Sequence, residues 1–182
     1  MLKGKCRYCG QKISERHLIV ELLTAILFLA LYVKFGMSID LFATAIFSSL
    51  LIIMAFTDIE NMIIPDILAV IGIIVGVAYS WYLGDVVNSL TGICFGFVFM
   101  LFLSMTAKYV LKKEAMGEGD IKLVVMIASL MGVDKAFMAL FIASISGALV
   151  SMALIIMGKI KRDGYIPFVP YLALGAIASI FI

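Results

Sequence analysis

Charge is scarce in this chain of 182 residues. Asp, Glu, Lys and Arg make up 14% of it and apolar residues 64%, whereas a soluble domain usually has about 25% charged and at most about 50% apolar residues. A globule of this size has no interior large enough to hide so much apolar surface from water. The composition therefore excludes an ordinary soluble enzyme and a disordered chain, and it indicates one polytopic helical membrane protein.

Cysteine and histidine are also scarce, and the charge is nearly balanced. The three cysteines, Cys6, Cys9 and Cys94, cannot close a disulfide framework, and His17 is the one histidine. The 14 basic and 12 acidic residues give a net charge of +2, which is too balanced for a protein that binds nucleic acid. The opening residues, MLKGKCRYCG, have no apolar core and so do not predict a cleavable signal peptide.

The apolar residues form runs long enough to cross a bilayer. A bilayer core about 30 Å thick needs roughly 20 apolar helical residues, with about 17 as the lower limit. Five charge-free runs meet this limit: 41–57, 67–84, 86–107, 136–158 and 164–182. A sixth span is expected near 18–35 and a shorter one at 120–133, whose polar start must be shielded by protein. The sequence therefore predicts an all-α transmembrane helical bundle of about seven spans.

Lys and Arg are distributed unequally between the two sides of this topology. The side that carries the N-terminus collects all of the 14 basic residues except Lys34 and Lys135. Because basic residues accumulate on the cytoplasmic side of membrane proteins, the N-terminus is predicted to be cytoplasmic. The predicted organisation is a cytoplasmic segment, 1–17, with a single C-x-x-C pair, followed by a transmembrane domain, 18–182.

Two aspartates stand at the cytoplasmic boundary of the predicted bundle. Asp58 directly follows the second span, and Asp120 opens the short fifth span. Burying an acidic group at membrane depth costs free energy, so a functional or structural role is expected for each such residue. Carboxylates from two helices at one depth can meet, and nothing else in the sequence converges in this way.

A facing pair of aspartates has a defined chemistry. Close carboxylates cannot easily both ionise, so the pair shares a proton. The ionised member can take a proton from a water that attacks a peptide carbonyl, and the protonated member can donate to the carbonyl oxygen. Gly117 and Gly119, on either side of Glu118, permit tight turns and the close approach of an extended peptide.

Spacing alone leaves other roles open. Asp58 and Asp120 can also form a proton relay in a small ion-coupled transporter, or they can be structural residues at helix ends. Asp66 follows Pro65 in an I-P-D sequence, and we expect it to cap the helix that begins there.

Four segments, taken together and in order, resemble the type IV prepilin peptidases. They are C-R-Y-C-G-Q-K-I-S-E-R-H-L-I-V-E-L-L-T at 6–24, D-I-E-N-M-I-I-P-D at 58–66, G-E-G-D-I-K-L at 117–123 and I-P-F-V-P-Y-L-A-L-G at 166–175. A G-x-G-D sequence alone would be a weak signal. Four motifs in the family's order make the resemblance specific.

This resemblance implies an intramembrane aspartic endopeptidase of the bacterial inner membrane. Such enzymes cut the leader from type IV prepilins and pilin-like secretion subunits on the cytoplasmic side, and many then methylate the new N-terminus with S-adenosylmethionine. Carried over by motif, the catalytic aspartates are Asp58 and Asp120, without an assignment of acid and base. The same motif includes Gly117, Glu118 and Gly119. The expected partners are a prepilin or pseudopilin substrate and the lipid bilayer.

The N-terminal segment departs from the pattern of the bifunctional members. Those members have two C-x-x-C pairs that can hold zinc, whereas Cys6 and Cys9 form a single pair. One pair cannot complete a four-ligand site, and His17 would add only a third ligand. We therefore expect a peptidase, carried by 18–182, that needs no cofactor. Zinc is a candidate ligand of Cys6 and Cys9, and S-adenosylmethionine is expected only where methylation is retained.

Three acids stand out on the otherwise basic cytoplasmic face. The resemblance implies a substrate with a short basic leader ahead of an apolar helix. The candidates for holding that leader are Glu60, Glu114 and Glu118. Glu118 is the strongest candidate because it neighbours Asp120. The alternative is that these acids are solvated or pair with lysines, namely Lys112, Lys113 and Lys122.

Overall fold

The structure, a computed structural model, describes residues 14–111, 117–159 and 166–182. These residues form helices and short connections, without any strand. The helices are α1 (Glu15–Phe35), α2 (Ile39–Asn61), α3 (Asp66–Leu83), α4 (Val86–Leu111), α5 (Glu118–Ile156) and α6 (Val169–Phe181). The predicted all-α class is confirmed.

Five of these helices, α1 to α5, are long and apolar enough to cross a membrane, so the chain is a multi-pass membrane protein. Helix α6 has 13 residues. Helix α5 has 39 residues and is interrupted at Gly132, where φ is 75° and ψ is −174°. The stretches before and after Gly132 correspond to the predicted spans 120–133 and 136–158. The count of seven spans and the cytoplasmic N-terminus stay predictions.

The chain divides into two compact units, 1–41 and 42–182. In the first unit, α1 begins after Ser14, whose hydroxyl accepts a hydrogen bond from the Arg16 N–H at 3.4 Å. The helix ends at Gly36, where a φ of 61° favours glycine. Most of the described side chains of α1 are exposed, and most of the exposed ones are apolar, as expected for a helix that faces lipid.

The second unit is built around the first half of α5. Seven consecutive residues, 123–129, are buried there, which means that neighbouring helices cover this stretch on all sides. Helices α3 and α4 pack against it, and α6 packs against the stretch after Gly132. Helix α2 adds Phe47, Leu51 and Met54 to the same core.

Two G-x-x-x-G pairs, Gly72/Gly76 in α3 and Gly92/Gly96 in α4, predict close helix packing. The structure confirms it. A Cβ on Gly92 would overlap the carbonyl oxygen of Ala128, and a Cβ on Gly96 would lie 3.3 Å from the Ala128 methyl group. A Cβ on Gly72 or Gly76 would likewise press into atoms of α5. The glycines therefore let α3 and α4 both approach the same stretch of α5 closely.

Candidate active site

Asp58 lies in the last turn of α2 and is buried. Its Oδ2 accepts a hydrogen bond of 3.2 Å from the backbone N–H of Val169, the first residue of α6. The first N–H groups of a helix have no acceptor inside that helix, and the N-terminus is the positive end of the helix dipole. The start of α6 therefore supplies a donor that fixes the orientation of the Asp58 carboxylate.

Asp120 is the third residue of α5 and is partly buried. The helix begins after Gly117, whose carbonyl oxygen accepts the Asp120 N–H at 3.2 Å. Asp58 is near enough for its charge to act on the Asp120 carboxyl. The structure thus brings together the two aspartates that the sequence singled out, one from the end of α2 and one from the start of α5.

Gly119 lies against the connection between α2 and α3. A Cβ at this position would lie 2.6 Å from Cδ1 and 3.0 Å from Cβ of Ile64, closer than side chains normally approach. A Cβ on Gly117 would meet Oδ2 of Asp120 at 3.7 Å, an ordinary contact. Ile64 is therefore the neighbour that favours glycine at position 119, whereas a Cβ at position 117 meets no close contact.

The prediction that Asp66 caps α3 is wrong. Pro65 occupies the N-cap position, no side chain caps the helix, and Asp66 is the first helical residue. Its Oδ1 instead forms an ion pair with Nζ of Lys122, at 2.7 Å. A carboxylate in the first turn still benefits from the helix dipole, and from this position it reaches across to α5. The pair joins the start of α3 to the second turn of α5.

Two of the three acids proposed to hold a leader are exposed. Glu118 is the first residue of α5 and is exposed, and Glu60 is exposed in the last turn of α2. Glu114 lies outside the described residues. Lys122, one of the lysines considered as a partner for these acids, forms an ion pair with Asp66.

The predicted zinc ligands Cys6 and Cys9 also lie outside the described residues. His17, the third ligand considered, is exposed at the start of α1. Within residues 14–111, 117–159 and 166–182, no group of three or more His, Cys, Asp or Glu side chains could hold a metal ion.

Sequence reasoning missed Val169. It contributes a backbone N–H, and a backbone group has no signature in the residue type. The available signal was Pro170, because proline favours the first turn of a helix. That signal predicts where α6 begins, but not which side chain its free N–H groups meet.

Comparison with known proteins gives consistent matches. Residues 45–152 match the Type IV leader peptidase family, and residues 1–35 match the Bacterial Peptidase A24 N-terminal domain. The chain is 35% identical to a Prepilin leader peptidase/N-methyltransferase of Bacillus subtilis (strain 168), over 97% of this chain and 70% of that protein. No solved structure matches this chain.

Two further relatives extend the comparison. A Prepilin leader peptidase/N-methyltransferase of Myxococcus xanthus is 34% identical, over 85% of this chain and 47% of that protein. A Type 4 prepilin-like proteins leader peptide-processing enzyme of Escherichia coli O78:H11 is 34% identical, over 100% of this chain and 67% of that protein. The chain thus spans about half to about two thirds of the length of these relatives. By the family match and these identities, the chain belongs to the type IV leader peptidase family.

Proposed function

We propose that this protein is an intramembrane aspartic endopeptidase that removes the leader peptide from type IV prepilins and pilin-like secretion subunits. The observation that carries the proposal is that Asp58 and Asp120, which come from two different helices, lie near enough for the charge of Asp58 to act on Asp120. Membership of the leader peptidase family supports the reaction class, and the names of the relatives support the substrate class.

The proposed mechanism uses the two carboxyl groups as one unit. The ionised carboxylate takes a proton from a water as its oxygen attacks the scissile carbonyl, and the protonated carboxyl donates to the carbonyl oxygen. The C–N bond then breaks as the leaving amine receives the proton taken from the water, and the hydroxyl formed from the carbonyl oxygen returns its proton to the other carboxylate. Asp58 is held by the Val169 N–H and is buried, whereas Asp120 is more accessible. We therefore place substrate entry on the Asp120 side of the pair.

The proposed substrate has two parts in two environments. Its apolar helix lies in the bilayer against the exposed apolar faces of the spans, and its basic leader stays in the cytoplasm. The cut then falls near the lipid–water boundary, where the end of α2 and the start of α5 meet. The location that fits this proposal is the bacterial inner membrane, with the pair on the cytoplasmic side.

Methylation of the new N-terminus is a second candidate activity. Two relatives carry N-methyltransferase in their names, and residues 1–35 match the N-terminal domain of the bacterial family. In the assay below, added S-adenosylmethionine would increase the mass of the mature product by that of one CH₂ group, because a methyl group replaces a hydrogen. An unchanged product mass would limit the activity to peptide cleavage.

The test uses purified protein in detergent and a prepilin with a Gly–Phe junction. We expect two products whose masses place the cut after the glycine. The transporter alternative predicts no cleavage, together with ion-coupled uptake in reconstituted vesicles that depends on Asp58 and Asp120. An intact substrate after long incubation with folded protein would contradict the peptidase proposal.

A further inference from the structure

Asp120 and Lys122 point to different sides of the start of α5. Two residues advance by about 200° around a helix with 3.6 residues per turn. The Asp120 carboxyl lies within electrostatic reach of Asp58 at the end of α2, and Lys122 pairs with Asp66 at the start of α3, with 2.7 Å between Nζ and Oδ1. The two interactions therefore hold the same helical turns from nearly opposite sides.

Core packing does not by itself fix this part of α5. Residues 123–129 are buried, whereas 117–122 are exposed or only partly buried. The close approach of Gly119 to Ile64 sets how near α5 comes to the connection between α2 and α3. A close approach between two groups limits distance but not rotation. The long-range ion pair of Lys122 supplies that second restraint.

A contribution to stability does not explain the pair. The side chains of Lys122 and Asp66 are 41% and 69% exposed, and exposed ion pairs add little to folding stability. We therefore expect the effect of the pair in the geometry of the site. The pair favours one rotation of the first turns of α5 about the helix axis. A rotation in the other direction would break the pair and carry the Asp120 carboxyl away from Asp58.

We propose that Asp66 and Lys122 are positioning residues that hold Asp120 toward Asp58. The expected loss of kcat rests on the proposed peptidase function, whereas the expected change in the position of the start of α5 does not. Neither residue touches the scissile bond in this account, so the pair acts on the catalytic step through the placement of Asp120.

The kinetic test removes either partner and then restores the interaction. Asp66→Ala and Lys122→Met should each lower kcat roughly fivefold with KM within about twofold, the most by which an exposed ion pair shifts an equilibrium. Lys122→Arg, which keeps the pair, and the exchange Asp66→Lys/Lys122→Asp should recover most of kcat. Asp66→Asn should be mild, because its amide oxygen still accepts from Lys122. The matched control is Lys135→Gln, an exposed lysine in the same helix, which should leave kcat unchanged.

The structural test needs no substrate. In a background with Cys6, Cys9 and Cys94 replaced by serine, spin labels are attached through Ile63→Cys and Glu118→Cys, both at exposed positions. Pulsed electron spin resonance should give a narrow distance distribution that broadens in Asp66→Ala and Lys122→Met but not in Lys135→Gln. Unchanged distributions, or kcat values within twofold of the parent in both variants, would overturn the proposal. Broadening in a protein that fails to cleave prepilin would uphold the positioning and reject the peptidase function.

Discussion

At the scale of the residue, Glu118 is the acid best placed to meet a basic leader. It is exposed, it begins α5, and it lies two positions before Asp120. We predict that Glu118→Gln raises KM for a Lys/Arg-rich leader more than for a neutral leader and leaves kcat unchanged. The difference should shrink as salt rises, because exposed charges are screened within about 10 Å at 0.1 M.

The matched control is Asp134→Asn. Asp134 is an exposed acid in α5 beyond Gly132, and its replacement should leave KM unchanged for both the basic and the neutral leader. Steady-state kinetics with the two leaders at low and high salt checks the prediction. Equal effects of Glu118→Gln on both leaders at low salt would instead assign Glu118 to the catalytic loop.

The sequence predicted some of the site residues because their side chains are unusual in their surroundings. Asp58 and Asp120 stand out in an apolar chain, and in the structure the charge of Asp58 reaches Asp120. The partner of Asp66 could not be predicted, because Lys122 is 56 residues away and an acid after proline fits a helix cap equally well. Val169 could not be predicted, because it acts through its backbone.

At the scale of the element, the start of α6 contributes to the site through one N–H group. We predict that an amide-to-ester replacement at Val169, introduced as the α-hydroxy analogue of valine, lowers kcat about tenfold or more. The reason is that a hydrogen bond to a charged group contributes about 1.5–3 kcal/mol, and this N–H has no other helical role. The same replacement at Leu174, which is exposed in α6, is the control. An equal loss at both positions would show a general weakening of α6 instead.

The close packing of α4 on α5 gives a stability prediction. Gly92→Ala should destabilise the protein by about 1–3 kcal/mol, the usual cost of overpacking, because its Cβ would overlap the Ala128 carbonyl oxygen. Gly147→Ala should be neutral or slightly stabilising, since its Cβ would make an ordinary contact at 3.5 Å with Tyr171 and alanine favours a helix. Thermal unfolding in detergent compares the two. Equal midpoints would contradict the packing described here.

Helix boundaries followed from the sequence only in part. Charge-free runs predicted where each helix lies, since apolar length is what a membrane selects. They did not predict the ends: α4 continues past Lys108 to Leu111, whereas α6 begins at Val169 rather than at 164. One charge does not end a helix, and Pro170 in the first turn favours a start close to itself.

At the scale of the whole molecule, three regions far apart in sequence meet at one place. The end of α2 brings Asp58, the start of α5 brings Asp120, and the start of α6 brings the N–H of Val169. The buried stretch 123–129 anchors the start of α5 in the core of the second unit. A mutation in that core is therefore expected to act on the site through the placement of α5.

The most direct test of the proposed function is the activity of two variants that each remove one carboxylate. Asp58→Asn and Asp120→Asn are purified in detergent, shown by circular dichroism and thermal unfolding to be folded, and incubated with the Gly–Phe prepilin. Because one carboxyl group cannot take a proton from the water and donate a proton to the carbonyl oxygen in the same step, each variant should lose cleavage completely while the parent protein releases the leader. Mass spectrometry reads the products. Substantial cleavage by either folded variant would contradict the aspartic mechanism.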